Sequence, residues 1–237
     1  LLYLIPNYQN PTGVTLAADR RLPILELAKA HDLLVIEDDV YRDLAYEDAP
    51  PASLFAIERR HPPGAQVSGR VLRVGSFSKT LAPGLRLGWL LASPDHIQTL
   101  VQSGLSAMGG GANPLVANIV AEYCIQGNLE AHIERLRDVY RERRDAMLTA
   151  LHVHMPQGAE WTHPGGGFFI WLRLPAPLQA RQVADRARGE GLLIPVGDPF
   201  FAEQPTGQYL RLAFSYVTPE KIREGVEKLG EVLQAGM

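Results

Sequence analysis

One cysteine, Cys124, stands in 237 residues, and this excludes an internal disulfide. Its neighbours Val120-Ala121-Glu122-Tyr123 and Ile125 are mostly apolar, so it reads as a buried, inert thiol. No apolar run approaches the length of a membrane-crossing helix. Residues 1–5 are too short for a secretory signal and lack its basic flank. A basic surplus is missing too. With 23 Lys and Arg against 26 Asp and Glu, the formal net charge is -3, and the clustered positive charge of a nucleic-acid surface is absent. The Arg-rich stretches 135–144 and 181–188 alternate with acids at helical spacing and read as solvated faces. His152, His154 and His163 lack the Cys or acid neighbours of a metal site. Internal repeats and low-complexity segments are also absent. A cytoplasmic compartment is expected, with no membrane partner and no nucleic acid bound by this chain itself.

What is present is 46% hydrophobic residues, enough to bury a sizeable core. The short apolar runs 1–5, 33–36 and 71–74 show no polar alternation, as expected of strands buried on both faces of a parallel sheet. A helix over 17–31, marked by Leu22, Leu25, Ala28 and Lys29, makes the first two a right-handed βαβ unit. The Pro-Gly-broken link from Val74 to the run 87–92 is too short for a crossover, so that strand should run antiparallel. A helix starting at Asn113-Pro114 should turn Leu115, Ile119, Val120 and Tyr123 inward, and a longer one should span 129–151. Beyond Pro156, strands are expected over 168–172, 192–196 and 209–214, and helices over 179–190 and 219–233. Thr218 is placed as the N-cap of the last helix and Pro219 as its N1 residue. The domains read as 1–128, a linking helix 129–152, and a small α/β domain 153–237. The strand-like opening without an initiator Met reads as the C-terminal part of something longer.

Three motifs carry chemistry, and Asn10, Asp38 and Lys79 each follow the carboxyl end of an expected parallel strand, where open α/β sheets place ligands. They are Pro6-Asn7-Tyr8-Gln9-Asn10-Pro11-Thr12-Gly13, Glu37-Asp38-Asp39-Val40-Tyr41, and Ser76-Phe77-Ser78-Lys79 running on to Arg86. A lysine flanked by hydroxyls and an arginine suits an aldehyde that carries a phosphate. An upstream carboxylate suits a protonated pyridine. The carboxylates Glu37, Asp38 and Asp39 also admit a magnesium site, but the GxxxxGK[ST] loop that accompanies it in nucleotide hydrolases is absent. Ser76-Phe77-Ser78-Lys79 satisfies the S-x-x-K of serine acyl-transferases, without their S-D-N and K-T-G.

In order and spacing the three motifs resemble the class I/II aminotransferases of pyridoxal-phosphate fold type I. The likeness is to aminoadipate, branched-chain and aromatic aminotransferases and to the effector domains of regulators that fuse this fold to a DNA-binding domain. The resemblance implies an α/β fold: a mixed, mostly parallel sheet in an N-terminally incomplete large domain, with a smaller C-terminal α/β domain. It implies pyridoxal 5'-phosphate as cofactor, bound through Lys79, which also moves the substrate Cα proton. Asp38 would pair with the pyridine nitrogen, and Tyr41 and Asn10 with the phenolic oxygen. Ser76, Ser78 and Arg86 would anchor the phosphate, and Arg211, in Tyr209-Leu210-Arg211-Leu212-Ala213-Phe214-Ser215, the substrate α-carboxylate. Gly165-Gly166-Gly167 either lets backbone approach the substrate or forms a turn. Substrates would be an amino acid and a 2-oxo acid, and the assembly a homodimer. The alternative is a non-catalytic effector domain of a transcription regulator. The family's glycine-rich phosphate loop, stacking aromatic ring and first strand are not found, so residues 1–237 alone are expected to bind cofactor poorly.

Overall fold

The apolar runs 1–5 and 33–36 become β1 (Leu2–Leu4) and β2 (Val35–Asp38), paired in parallel with Tyr3 opposite Ile36. The computed structural model describes residues 1–60 and 69–237. Between these strands lies α1 (Ala18–Ala30), and α2 (Leu54–Arg60) follows β2. β3 (Val71–Ser76) continues the parallel sheet, with Asp38 opposite Val74. The expected reversal then occurs. β4 (Gly88–Leu91) runs antiparallel to β3, after the short α3 (Phe77–Thr80) and a 3-10 turn over Pro83–Leu85. The sheet order is β1-β2-β3-β4.

The core of this sheet gathers Ala28, Val35, Leu54 and Val71, with Leu2, Leu4, Leu25, Leu33 and Phe55 against them. Helices α1 and α2 thus cover one face. Tyr3, on the other pleat face, is 54% exposed, so β1 is not buried on both sides as its apolar run suggested. α1 also buries a charge. Its Arg21 is fully buried, and the guanidinium donates to the carbonyls of Leu16, Pro51 and Ala52 and to Asn7 Oδ1, the last at 2.7 Å. Buried guanidinium is tolerable because its donors are satisfied.

Further on come α4 (Pro94–Val101), α5 (Gly104–Ala107), α6 (Pro114–Ile125) and α7 (Asn128–His154). Asn113 caps α6 by accepting from the amides of Leu115 and Val116. Of the four side chains expected to turn inward, Val120 is buried and Tyr123 partly so, but Leu115 is 70% and Ile119 58% exposed. Helical periodicity identifies an apolar face; it does not say what covers it. Cys124 is half-buried, and desolvation holds its thiol pKa above the ordinary value.

The second sheet is antiparallel, in the order β5 (Glu160–Trp161), β6 (Phe169–Arg173), β7 (Tyr209–Ala213). Helices α8 (Ala180–Gly189) and α9 (Pro219–Gln234) accompany it, and Thr218 caps α9 through the Lys221 amide, as expected. The run 192–196 does not form a strand. Val196 makes only an isolated bridge to Leu210, because Pro195 has no N–H to donate and contributes only its carbonyl, to Arg211 N at 3.0 Å. The solvated-face reading of 135–144 also fails at Arg144. That side chain is 6% exposed, bonded to Pro164 O at 3.0 Å and paired with Asp145.

By contact the chain forms two units: residues 1–7 with 15–136, and residues 8–14 with 137–237. The division falls within α7.

Candidate active site

Asp38 closes β2, and Ser76 closes the neighbouring parallel strand β3, so both stand at carboxyl ends of the first sheet. Ser76 then caps α3: extended backbone lets its hydroxyl accept from the Ser78 amide at 3.1 Å. Lys79 is the third residue of that short helix, and its ammonium lies 5.9 Å from the ring centroid of Tyr41, a side chain only 5% exposed. Tyr41 sits in the turn that follows β2, with its carbonyl accepting from Leu44 N at 2.9 Å.

The two oxygens of Asp38 differ. Oδ2 accepts from the Tyr3 hydroxyl, whereas Oδ1 is buried and has no hydrogen-bond partner among the described residues. An orphaned carboxylate oxygen calls for a donor, and a protonated ring nitrogen is one. The flanking acids are engaged elsewhere. Glu37 accepts from Leu54 N at 2.8 Å and Phe55 N at 3.0 Å, at the start of α2. Burial raises its pKa, and Asp39 adds to this, while those amides and Arg73 oppose it. Asp39 is held by Asn7 Nδ2 at 2.5 Å and by Arg73 at 2.8 and 2.9 Å. These bonds make Glu37 and Asp39 supports of the fold and leave Asp38 as the carboxylate with an open oxygen.

Arg73 also lies over the Trp89 ring, 5.3 Å from its centroid. That ring crosses Gly75 so closely that a Cβ there would meet its carbons at 2.1 Å, which is why β3 has no side chain just before Ser76. Arg86 takes left-handed backbone at φ 52, just after the 3-10 turn. Its guanidinium is exposed and donates to Pro83 O at 3.3 Å.

In the second unit, Arg211 on β7 donates to Asn10 Oδ1 at 2.9 Å. Its guanidinium carbon lies 4.5 Å from the Phe169 ring centroid and 4.9 Å from that of Phe200. Neither phenylalanine was singled out from sequence, although Phe169 lies in the expected strand 168–172. Gly165 and Gly167 stand at bends, with Gly166 in a bridge between them. Gly167 has φ 73, and a Cβ there would meet Tyr8 Cβ at 2.6 Å, so Gly167 admits the buried Tyr8. Tyr3 was likewise missed, since its contact with Asp38 depends on strand register, which the sequence does not print.

The family model for aminotransferase class I and II matches residues 2–229. This chain belongs to that family. It is 38% identical to aromatic-amino-acid aminotransferase 1 of Thermococcus litoralis over all of this chain and 55% of that protein. It is 32% identical to the uncharacterized HTH-type transcriptional regulator YdfD of Bacillus subtilis, over 99% of this chain and 46% of the regulator. Among solved structures, the kynurenine aminotransferase of Pyrococcus horikoshii, in complex with PMP, superposes with a TM-score of 0.90 at 37% identity. That match covers 99% of this chain and 56% of the enzyme. The chain therefore spans about half the length of the relatives it matches, in the fold type I architecture expected of it.

Proposed function

We propose that the chain belongs to a pyridoxal-phosphate-dependent aminotransferase that moves an amino group between an amino acid and a 2-oxo acid. The observation that carries this reading is the split carboxylate of Asp38, bonded at Oδ2 and open at buried Oδ1, at the end of a strand adjacent to the one leading into Lys79. When bound, pyridoxal phosphate supplies an aldehyde and a protonated ring that withdraws electrons from the substrate Cα. Lys79 is assigned the aldehyde and the proton transfer at Cα, because an unprotonated lysine amine is both nucleophile and base. Asp38 keeps the ring nitrogen protonated. Tyr41 donates to the phenolic oxygen, as does Asn10, whose Oδ1 is engaged by Arg211 and whose amide group remains to donate. Ser76, Ser78 and Arg86 hold the phosphate; Arg86 would exchange its bond to Pro83 for one to the anion, a charge-assisted and stronger one. Arg211, clamped by two aromatic rings, holds the substrate carboxylate.

In this reading residues 1–128 belong to the large domain and 153–237 form the small one, joined by helix 129–152. The protein works as a cytoplasmic homodimer, for which the exposed Met108, Leu115, Ile119 and Ile125 offer an apolar surface. Among the described residues no helix is long and apolar enough to cross a membrane. Borohydride reduction of the holoenzyme followed by peptide mapping tests the assignment. The label is expected on Lys79, and a label on another lysine overturns it.

A further inference from the structure

We infer that Tyr3 is a positioning residue for Asp38: its hydroxyl anchors one carboxylate oxygen so that the other is presented to the cofactor's ring nitrogen. The inference rests on the assignment of Asp38 proposed above and deepens it.

The register explains why a tyrosine is needed. Tyr3 pairs with Ile36, and Asp38 is two residues further along β2, on the same pleat face. A diagonal neighbour in a sheet lies roughly 7–8 Å away, within reach of a long aromatic side chain. Tyrosine spans that interval and ends in a donor; phenylalanine would span it and end in nothing. The bond places the phenol on Oδ2, leaving Oδ1 buried and unpartnered among the described residues. If the pair served only to satisfy a buried acid, no such asymmetry would be needed. A carboxylate held at one oxygen cannot rotate to exchange the two, so Oδ1 keeps a fixed direction. The phenol is suited to the task because it remains a donor. Burial raises its pKa well above the ordinary range, and the hydrogen bond to Asp38 and that group's charge raise it further. Tyr3 is half exposed, and the effect of the bond is therefore moderate rather than large.

The test uses holoenzyme reconstituted with cofactor carrying 15N at the ring nitrogen, as wild type, Tyr3→Phe and Asp38→Ala. Tyr3→Phe keeps the ring and its packing. It is expected to raise the cofactor dissociation constant about three- to tenfold and to move the 15N resonance toward that of the unbound cofactor. Asp38→Ala is expected to move both readouts further in the same directions. Wild-type affinity and resonance in Tyr3→Phe, with both altered in Asp38→Ala, would overturn the role of Tyr3 and leave Asp38 in place. An unaltered resonance in both variants would overturn the assignment of Asp38 itself, and the inference with it.

Discussion

Arg211 shows how much of a single residue's behaviour is set by its neighbours. Asn10 accepts from one of its nitrogens, and the rings of Phe169 and Phe200 lie over the guanidinium. Such cation–π contacts contribute about 0.5–2 kcal/mol each, and they orient the group without consuming its capacity to bind a carboxylate. Arg211→Ala in the holoenzyme is expected to raise KM for every amino acid substrate, since all share the carboxylate. Phe200→Leu should raise KM in the same uniform way, by about two- to tenfold, with kcat changed less. Steady-state kinetics over several substrates checks both; a rise confined to one substrate would instead place Phe200 beside the substrate side chain. Asp38→Ala should retain borohydride labelling of Lys79 while losing most turnover, because the lysine persists and the electron sink does not. Asp38 and Lys79 were singled out from their motifs and Arg211 from the family resemblance. Tyr3 and Phe200 were not, because each acts through a partner that is remote in sequence.

At the scale of elements, two features of the first sheet make separate predictions. Gly75 has the Trp89 ring where a Cβ would stand, so Gly75→Val should force β3 and β4 apart and cost about 1–3 kcal/mol or more. Denaturant unfolding measures that loss. Glu37 behaves differently because its cost depends on pH. Its folded pKa is raised above 4.5, chiefly by burial. The folded state therefore binds its proton more tightly than the unfolded state does, and stability declines as pH rises from about 4.5 through the raised folded value. Glu37→Gln should flatten the stability profile across that window, at the cost of one acceptor for the Leu54 and Phe55 amides. Unfolding midpoints of both proteins between about pH 4 and 8 decide it, the opposite slope being the adverse result. Helices were largely legible because burial imposes a period of 3.6, and the parallel strands because they stand as short unbroken apolar runs. The run 192–196 was misread since its composition is strand-like, while Pro195 withholds the donor a ladder needs.

For the molecule as a whole, the proposed phosphate donors Ser76, Ser78 and Arg86 all come from one stretch of eleven residues. Phosphate sites are commonly completed by backbone amides at a helix start, and the chain spans 55% of the Thermococcus litoralis aromatic aminotransferase. Residues 1–237 alone are therefore expected to bind pyridoxal phosphate poorly. Titration of the isolated chain, followed by Schiff-base absorbance, checks this; tight, saturable binding would show that these donors suffice.

The sequence by itself determined the family, the order of the motifs and the antiparallel return of β4, because catalysis restricts residue type and spacing while a short Pro-Gly link permits no crossover. Only the tertiary structure decided which carboxylate of the acidic run is left open. Glu37 and Asp39 are consumed by amides and guanidinium that lie far away in sequence, and Tyr3 reaches Asp38 through a strand register that local composition does not encode. Pairing between distant segments is set by the burial of the whole sheet, and that is a property of the folded chain.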